Sequence, residues 1–209
     1  MTTFAAGNKN RMSSYRANIA KEEIPSLPQE FFPGTIRVLD GDAIPSDVAE
    51  KLESARLVGF DTESRPSFTR GVHYKVSLVQ LALADECFLV RLRQHRLPDL
   101  LRRLFNRSDI IKVGLSSQDD FRQMRALCPG LRPANVVELQ ELAPRYGIED
   151  KSLQKIYAIV FGRRICKSQQ LTNWEAATLT PAQQQYAALD AWACRQLYLK
   201  LTESAPDRP

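Results

Sequence analysis

The chain has 209 residues, 44% of them hydrophobic, which suits one domain of ordinary size with a sizeable core. No window approaches the ~18 consecutive apolar residues of a membrane span, and Met1 to Lys9 carry no apolar leader core, so neither a membrane partner nor export is expected. The net charge of +5, from 29 basic and 24 acidic residues, is only mildly basic. Cys87, Cys128, Cys166 and Cys194 lie far apart with no C-x-x-C pair. They fit reduced thiols of an intracellular protein, cytoplasmic in a bacterium, rather than a zinc site or a disulfide framework.

Residues 1–33 are polar and broken by Pro25, Pro28 and Pro33, which predicts a mobile or loosely docked arm. A single domain is expected over 34–203, followed by a short polar tail at 204–209. Alternation over 36–39 predicts a first strand, the spacing of Val48 and Leu52 a helix over 45–55, and the apolar run 57–61 a second strand. Alternating segments at 74–83 and 87–90, parted by Asp85-Glu86, read as a hairpin, giving three strands in antiparallel sequence. The period then changes. Helices are predicted over 97–105 and 119–127, short strands over 110–113 and 135–137, and helices over 139–146, 153–161 and 181–201. This order predicts an α/β fold with a mixed sheet, three antiparallel strands then parallel strands, flanked by helices. Between Arg91 and Arg132 ten basic residues (Arg91, Arg93, Arg96, Arg102, Arg103, Arg107, Lys112, Arg122, Arg125, Arg132) face four acids (Asp99, Asp109, Asp119, Asp120). Such an excess suits either phosphate contacts or a solvated helix face.

Acids appear where burial is expected. In Leu57-Val58-Gly59-Phe60-Asp61-Thr62-Glu63, strand alternation puts Val58 and Phe60 on one face and Asp61 and Glu63 together on the other. Two like charges side by side repel, and the pairing persists most easily around a cation; solvated loop chemistry is the alternative. On a helical wheel Asp120 falls inside the apolar stripe of Phe121, Met124, Leu127 and Cys128, while Asp119 lies outside it as a helix-start acid. In the last helix Thr180-Pro181-Ala182-Gln183 forms a capping box, and Tyr186, Leu189, Asp190, Ala193, Leu197 and Leu201 share one face. Tyr186 and Asp190 are one turn apart, and a buried hydroxyl bonded to the acid is the structural reading of that pair. Four carboxylates on core-facing surfaces would leave uncompensated charge unless divalent cations join them, and Mg²⁺ or Mn²⁺ suits oxygen-only ligands. Two ions about 3.5–4 Å apart would serve phosphodiester hydrolysis.

These residues carry a resemblance. The chain resembles the DEDD-type 3′–5′ exonucleases of the tyrosine subtype, the group of ribonuclease D and the Werner-syndrome exonuclease domain. The first motif is Val58-Gly59-Phe60-Asp61-Thr62-Glu63, continuing into Lys75-Val76-Ser77-Leu78-Val79-Gln80-Leu81-Ala82. The second is Lys112-Val113-Gly114 followed by Asp120, and the third is Tyr186-Ala187-Ala188-Leu189-Asp190-Ala191. Ser152-Leu153 to Phe161-Gly162, Lys167, Asn173-Trp174 and Leu179-Thr180 also look like the Werner-type connection, so the resemblance runs from about residue 35 to 201. It implies a ribonuclease-H-like fold and release of nucleoside 5′-monophosphates from the 3′ end of DNA or RNA, with two Mg²⁺ or Mn²⁺ ions. It further implies that Asp61, Glu63 and Asp190 hold the ion nearest the nucleophile and that Asp61 bridges to the second ion. Asp120 would support that second ion directly or through water, and Tyr186 would orient the attacking water and help take its proton.

The loop Ser64-Arg65-Pro66-Ser67-Phe68-Thr69-Arg70-Gly71 departs from the family pattern while staying basic. No HRDC-like or helicase segment follows residue 201, so such partners are expected to be separate proteins. Expected substrate contacts are Arg70, Arg163, Arg164 and Lys167 to phosphate, and Trp174 either stacking a base or packing in the core. His73 and His95 are not in the catalytic position, which Tyr186 occupies, although His73 beside Tyr74 could touch substrate. Two other readings are a non-catalytic nucleic-acid-binding module, disfavoured because all four acids and the tyrosine are present, and a scavenger of very short RNAs.

Overall fold

The computed structural model describes residues 15–72 and 74–203. The first part of the expected arm, His73 and the tail at 204–209 lie outside the described residues. Six strands, β1 (Thr35–Asp40), β2 (Leu57–Ser64), β3 (Val76–Ala82), β4 (Glu86–Arg91), β5 (Ile111–Gly114) and β6 (Val136–Glu138), form one sheet in the order β1-β4-β3-β2-β5-β6. β2, β3 and β4 make the expected antiparallel meander, and β5 and β6 extend it in parallel beside β2. β1 closes the opposite edge parallel to β4.

Helices α1 (Ser46–Ser54), α2 (Asp99–Asn106) and α3 (Ser117–Leu127) cover one face, and α4 (Leu139–Leu142), α5 (Leu153–Phe161) and α6 (Pro181–Glu203) belong to the other. The strand alternation sorts the two cores. Val58 and Phe60 of β2 join Val79 and Leu81 of β3 on the α1–α3 side, where the Phe60 ring packs at 5.3 Å from Phe105 and 5.1 Å from Phe121. Leu78 and Ala82 of β3 face α6 with its Ala187, Ala191 and Leu197. β3 is buried throughout, as the central strand of a sheet covered on both faces must be.

Three expected elements shift, each for a local reason. The helix expected over 139–146 splits into α4 and a 3₁₀ turn at Ala143–Tyr146, because Pro144 brings no backbone donor and Gly147 then turns left-handed. The strand expected from 135 begins one residue later, since Asn135 is left-handed with its side-chain amide donating to the Ser108 carbonyl at 2.9 Å. The segment before β1 is docked along residues 15–33 rather than loose. Gln29 bridges to Arg164, Glu30 N–H donates to the Arg164 carbonyl at 2.9 Å, and Gln185 reaches the Phe32 carbonyl at 2.9 Å.

The basic excess also resolves. Arg102 and Arg103 pair with Asp99, Arg103 also with Glu53, and Arg107 with Asp109. Lys112 is buried, its ammonium donating to the Ile110 carbonyl at 2.9 Å and to the Arg107 carbonyl at 2.5 Å. These four of the ten cations therefore serve the α2–β5 corner of the fold. Among the described residues no helix is long and apolar enough to cross a membrane.

Gly59 sets how closely α6 lies on β2. A Cβ added there would stand 2.1 Å from the Ala191 carbonyl oxygen and 2.9 Å from the Arg195 Cβ. Backbone cannot swing aside as a side-chain tip can, so Gly59→Ala should lift α6 and cost about 1–3 kcal/mol. Urea unfolding checks this, with Gly130→Ala as control, since its Cβ would meet only Arg102 Cδ at 3.6 Å. A Gly59→Ala midpoint equal to that of the control would refute the close approach.

Candidate active site

The paired register of β2 with β5 ends at Gly59, while its pairing with β3 runs on through Asp61↔Gln80 and Glu63↔Leu78. The last turn of the strand therefore projects past β5 with one long neighbour only. Its odd-numbered residues face α6, so Asp61 and Glu63 lie under that helix, which delivers Asp190 from above. One oxygen from each of Asp61, Glu63 and Asp190 can be chosen so that all lie within 4.8 Å of one another. The start of α6 is fixed by the expected capping box. Gln183 N–H donates to Thr180 Oγ1 at 3.2 Å, and Thr180 N–H donates back to Gln183 Oε1 at 3.0 Å.

This crowding raises the acids. Burial, then the charges of Asp120, Asp190 and Glu63, hold the Asp61 carboxyl well above the usual range. Glu63 is pushed up to about 9 by burial and by Asp190 and Asp120. Asp190 is pushed up to about 7 by burial, although the Tyr186 hydroxyl as hydrogen-bond partner and the charge of Lys167 pull it back. The Tyr186 hydroxyl is itself raised by burial and by Asp190 and Glu63, so the phenol stays protonated. Its ring stacks 5.9 Å from that of Trp174. Such a set of oxygens, short of nearby positive charge, fits a hard divalent cation.

Asp120 reaches the same region from the other face of β2. Its carboxylate accepts a short hydrogen bond from the Thr62 hydroxyl, and burial pushes it up to about 6. Alternation aims Thr62 away from Asp61 and Glu63 and toward α3, so one tripeptide serves both faces. The wheel assignment separates the neighbouring acids as expected, since Asp119 is exposed and pairs with Arg122 at 3.0 Å.

Three features were not anticipated from the sequence. Glu138, at the end of β6, accepts from Ser116 N–H at 2.9 Å, from Ser117 N–H and Oγ at 2.8 Å each, and from Gln140 N–H at 3.1 Å. It thereby holds Ser116 left-handed (φ 59°) and fixes where α3 begins, three residues before Asp120. Thr62 is the second, as the donor to Asp120. Gln80 is the third. It lies across the ladder from Asp61, fully buried, with neither side-chain amide atom hydrogen-bonded to a described residue. An acid directly before a helical pattern hints at Glu138 as a helix cap, but partners 21 and 22 residues upstream leave no local signal.

The expected substrate contacts divide. Lys167 lines the cavity of about 520 Å³ that also holds Asp61, Glu63, Tyr186 and Asp190. Arg163 and Arg164 instead tie down the N-terminal segment. Arg163 pairs with Glu30 at 2.9 Å, and Arg164 Nε donates to the Leu27 carbonyl at 3.1 Å. Trp174 is 1% exposed beneath Tyr186, which makes it packing rather than a stacking platform. Arg70 is exposed in the 64–75 loop.

The sequence pattern of the 3′–5′ exonuclease family matches residues 36–205. The chain is 28% identical over 187 residues to the bifunctional 3′–5′ exonuclease/ATP-dependent helicase WRN of Mus musculus, covering 84% of this chain and 13% of that protein. It is 32% identical over 178 residues to a 3′–5′ exonuclease of Arabidopsis thaliana, covering 82% of this chain and 59% of that protein. It thus spans less than two thirds of either relative. Among solved structures, the Aedes aegypti Nibbler EXO domain superposes with a TM-score of 0.69 at 22% identity, over 79% of this chain and 87% of that one. Brucella melitensis NrnC with bound Mg²⁺ gives 0.65 at 21% identity, over 81% of each chain. These likenesses define the fold as ribonuclease-H-like.

The raised carboxyls predict an inverted pH response. Unfolded carboxyls titrate near about 4, so above that pH the folded metal-free protein holds more protons than the unfolded chain. Stability should therefore fall as pH rises, through about 7 for Asp190 and about 9 for Glu63. In EDTA, Tm should drop between pH 5.5 and 9, and Mn²⁺ should raise it by an increment that grows with pH. Asp61→Asn should flatten the metal-free slope and remove the Mn²⁺ increment. Parallel wild-type and variant slopes in EDTA would contradict the crowding.

Proposed function

The chain belongs to the 3′–5′ exonuclease family, and from that premise we propose that it releases nucleoside 5′-monophosphates from the free 3′ end of DNA, RNA or both with two Mg²⁺ or Mn²⁺ ions. The observation that carries this reading is the convergence of Asp61, Glu63 and Asp190, with ligand oxygens within 4.8 Å. Ions bound there supply positive charge that offsets the acids, a more acidic water and stabilisation of the leaving oxygen.

Asp61, Glu63 and Asp190 would hold the first ion. Asp61 would be a ligand common to both ions, a role supported by the charges of all three other acids acting on it. Asp120 would serve the second ion from the α3 side, and its bond to Thr62 fixes its orientation. Tyr186 positions the attacking water by hydrogen bonding. Because burial keeps its phenol protonated, it orients that water rather than acting as a strong base. Lys167, on the cavity wall, meets the phosphate of the terminal nucleotide. All four cysteines are free thiols, which supports an intracellular setting.

The test uses Mg²⁺ or Mn²⁺ with 5′-labelled single-stranded DNA, recessed duplex, long RNA and dinucleotides. A stepwise ladder is expected on at least one substrate, lost to background in Asp61→Ala and slowed about a hundredfold in Tyr186→Phe. Binding with no ladder on any substrate, in either metal, would overturn the proposal in favour of a binding module.

A further inference from the structure

A second depression borders the acid cavity and has the opposite character. Between the 64–75 loop and α3 lies a groove of about 630 Å³, lined by the cations Arg65, Lys75 and Arg122 and by Tyr74 and Gln123, with no acid on its wall. Its size falls in the roughly 300–1,000 Å³ range of ligand pockets. It begins where the reacting site ends. Ser64, on its wall, directly follows Glu63, and Gln123 lies one turn beyond Asp120. Ser64 Oγ donates to Gln123 Oε1 at 3.5 Å. The β2–β3 ladder slips between Glu63 and Ser64, and such bulges re-aim the strand beside a site.

The cations are ordered yet exchangeable. The Arg65 guanidinium lies 5.0 Å over the Tyr74 ring and 3.9 Å from Glu175, and Arg122 pairs with Asp119 at 3.0 Å. Exposed pairs of this kind contribute little, so a phosphate can replace the acid partner. In the same loop Phe68 is 84% exposed, between Arg65 and Arg70. A bare aromatic among cations beside a phosphodiester-cleaving site is the composition of a single-strand stacking platform.

We propose that this groove is a second nucleic-acid subsite. It holds phosphates of the substrate strand on the 5′ side of the nucleotide being removed, while Phe68 stacks one of its bases. The assignment rests on the exonuclease reading and gives it a substrate class: single-stranded polynucleotides in preference to dinucleotides.

The test compares wild type, Arg65→Ala/Lys75→Ala and Phe68→Ala, with Mn²⁺, on a 5′-labelled single-stranded 20-mer, a recessed duplex and a dinucleotide. On the 20-mer, kcat/KM should fall about tenfold in either variant. Its salt dependence on a log–log plot should flatten by about 1.4 in the double variant, about 0.7 for each lost phosphate contact. Dinucleotide cleavage should be unchanged, which also reports intact folding. Equal losses on 20-mer and dinucleotide, no loss on the 20-mer, or a loss confined to the duplex would each overturn the proposal. If wild type cleaves none of these, the exonuclease reading fails on its own, and anisotropy with the labelled 20-mer in EDTA then decides the groove. Weaker binding with the same flattening would support it, and unchanged binding would refute it.

Discussion

The contact on which the rest depends is the approach of α6 to β2 at Gly59. The helix backbone lies so close there that a methyl group would collide with the Ala191 carbonyl. Asp190 precedes Ala191, and Asp61 lies two residues beyond Gly59, so this one contact brings the two carboxylates together. The other face of β2 is equally constrained, because the Phe60 ring is wedged between Phe105 and Phe121. A strand gripped on both faces can present like charges side by side. A looser one would let them separate and solvate.

That grip maintains an arrangement the fold alone would not favour. Asp61, Glu63 and Asp190 repel one another in a partly buried space, and Lys167 is the cation that acts on Asp190. Local rules agree through most of the chain and conflict here, which is where function is expected to override stability. The hydrogen bonds around the site divide the task. Thr62 satisfies Asp120, and Glu138 gathers three donors at the start of α3 and a fourth from Gln140 in α4. The three crowded acids are thereby left with oxygens available to an external cation.

Residues whose role follows from periodicity were legible in the sequence. Alternation separated Asp61 and Glu63 from Phe60, and the helical wheel separated Asp120 from Asp119 and placed Tyr186 beside Asp190. Those patterns are local, and burial follows them directly. Roles that depend on distant partners were not legible. Arg163 and Arg164 looked like phosphate ligands, but Glu30 and the Leu27 carbonyl, more than 130 residues earlier, take them. For Trp174 the sequence leaves stacking and packing both open, and its burial against Tyr186 decides for packing. Glu138 showed at most a helix cap, because its donors at Ser116 and Ser117 meet it only through the parallel pairing of β5 with β6.

Charge placement adds a constraint that composition hides. A site built from carboxylates repels a polyanion before any cation binds, so attraction must come from cations within about a Debye length of roughly 8–10 Å. The arginines of α2 do not meet that need, since none of them lines the acid cavity or the groove beside it. Lys151 and Lys167 on the cavity wall and the Arg65, Lys75 and Arg122 groove at its border lie where they can supply it. Acids and cations thus occupy adjoining stretches of one surface, joined at the Glu63–Ser64 step. If the groove is the subsite proposed above, a strand entering along the cations would lose counterions there first and meet the carboxylates with its terminal phosphodiester. On the proposed reading, the change of charge at that step would give the bound strand a direction, with its upstream phosphates on the cations and its 3′ end on the acids.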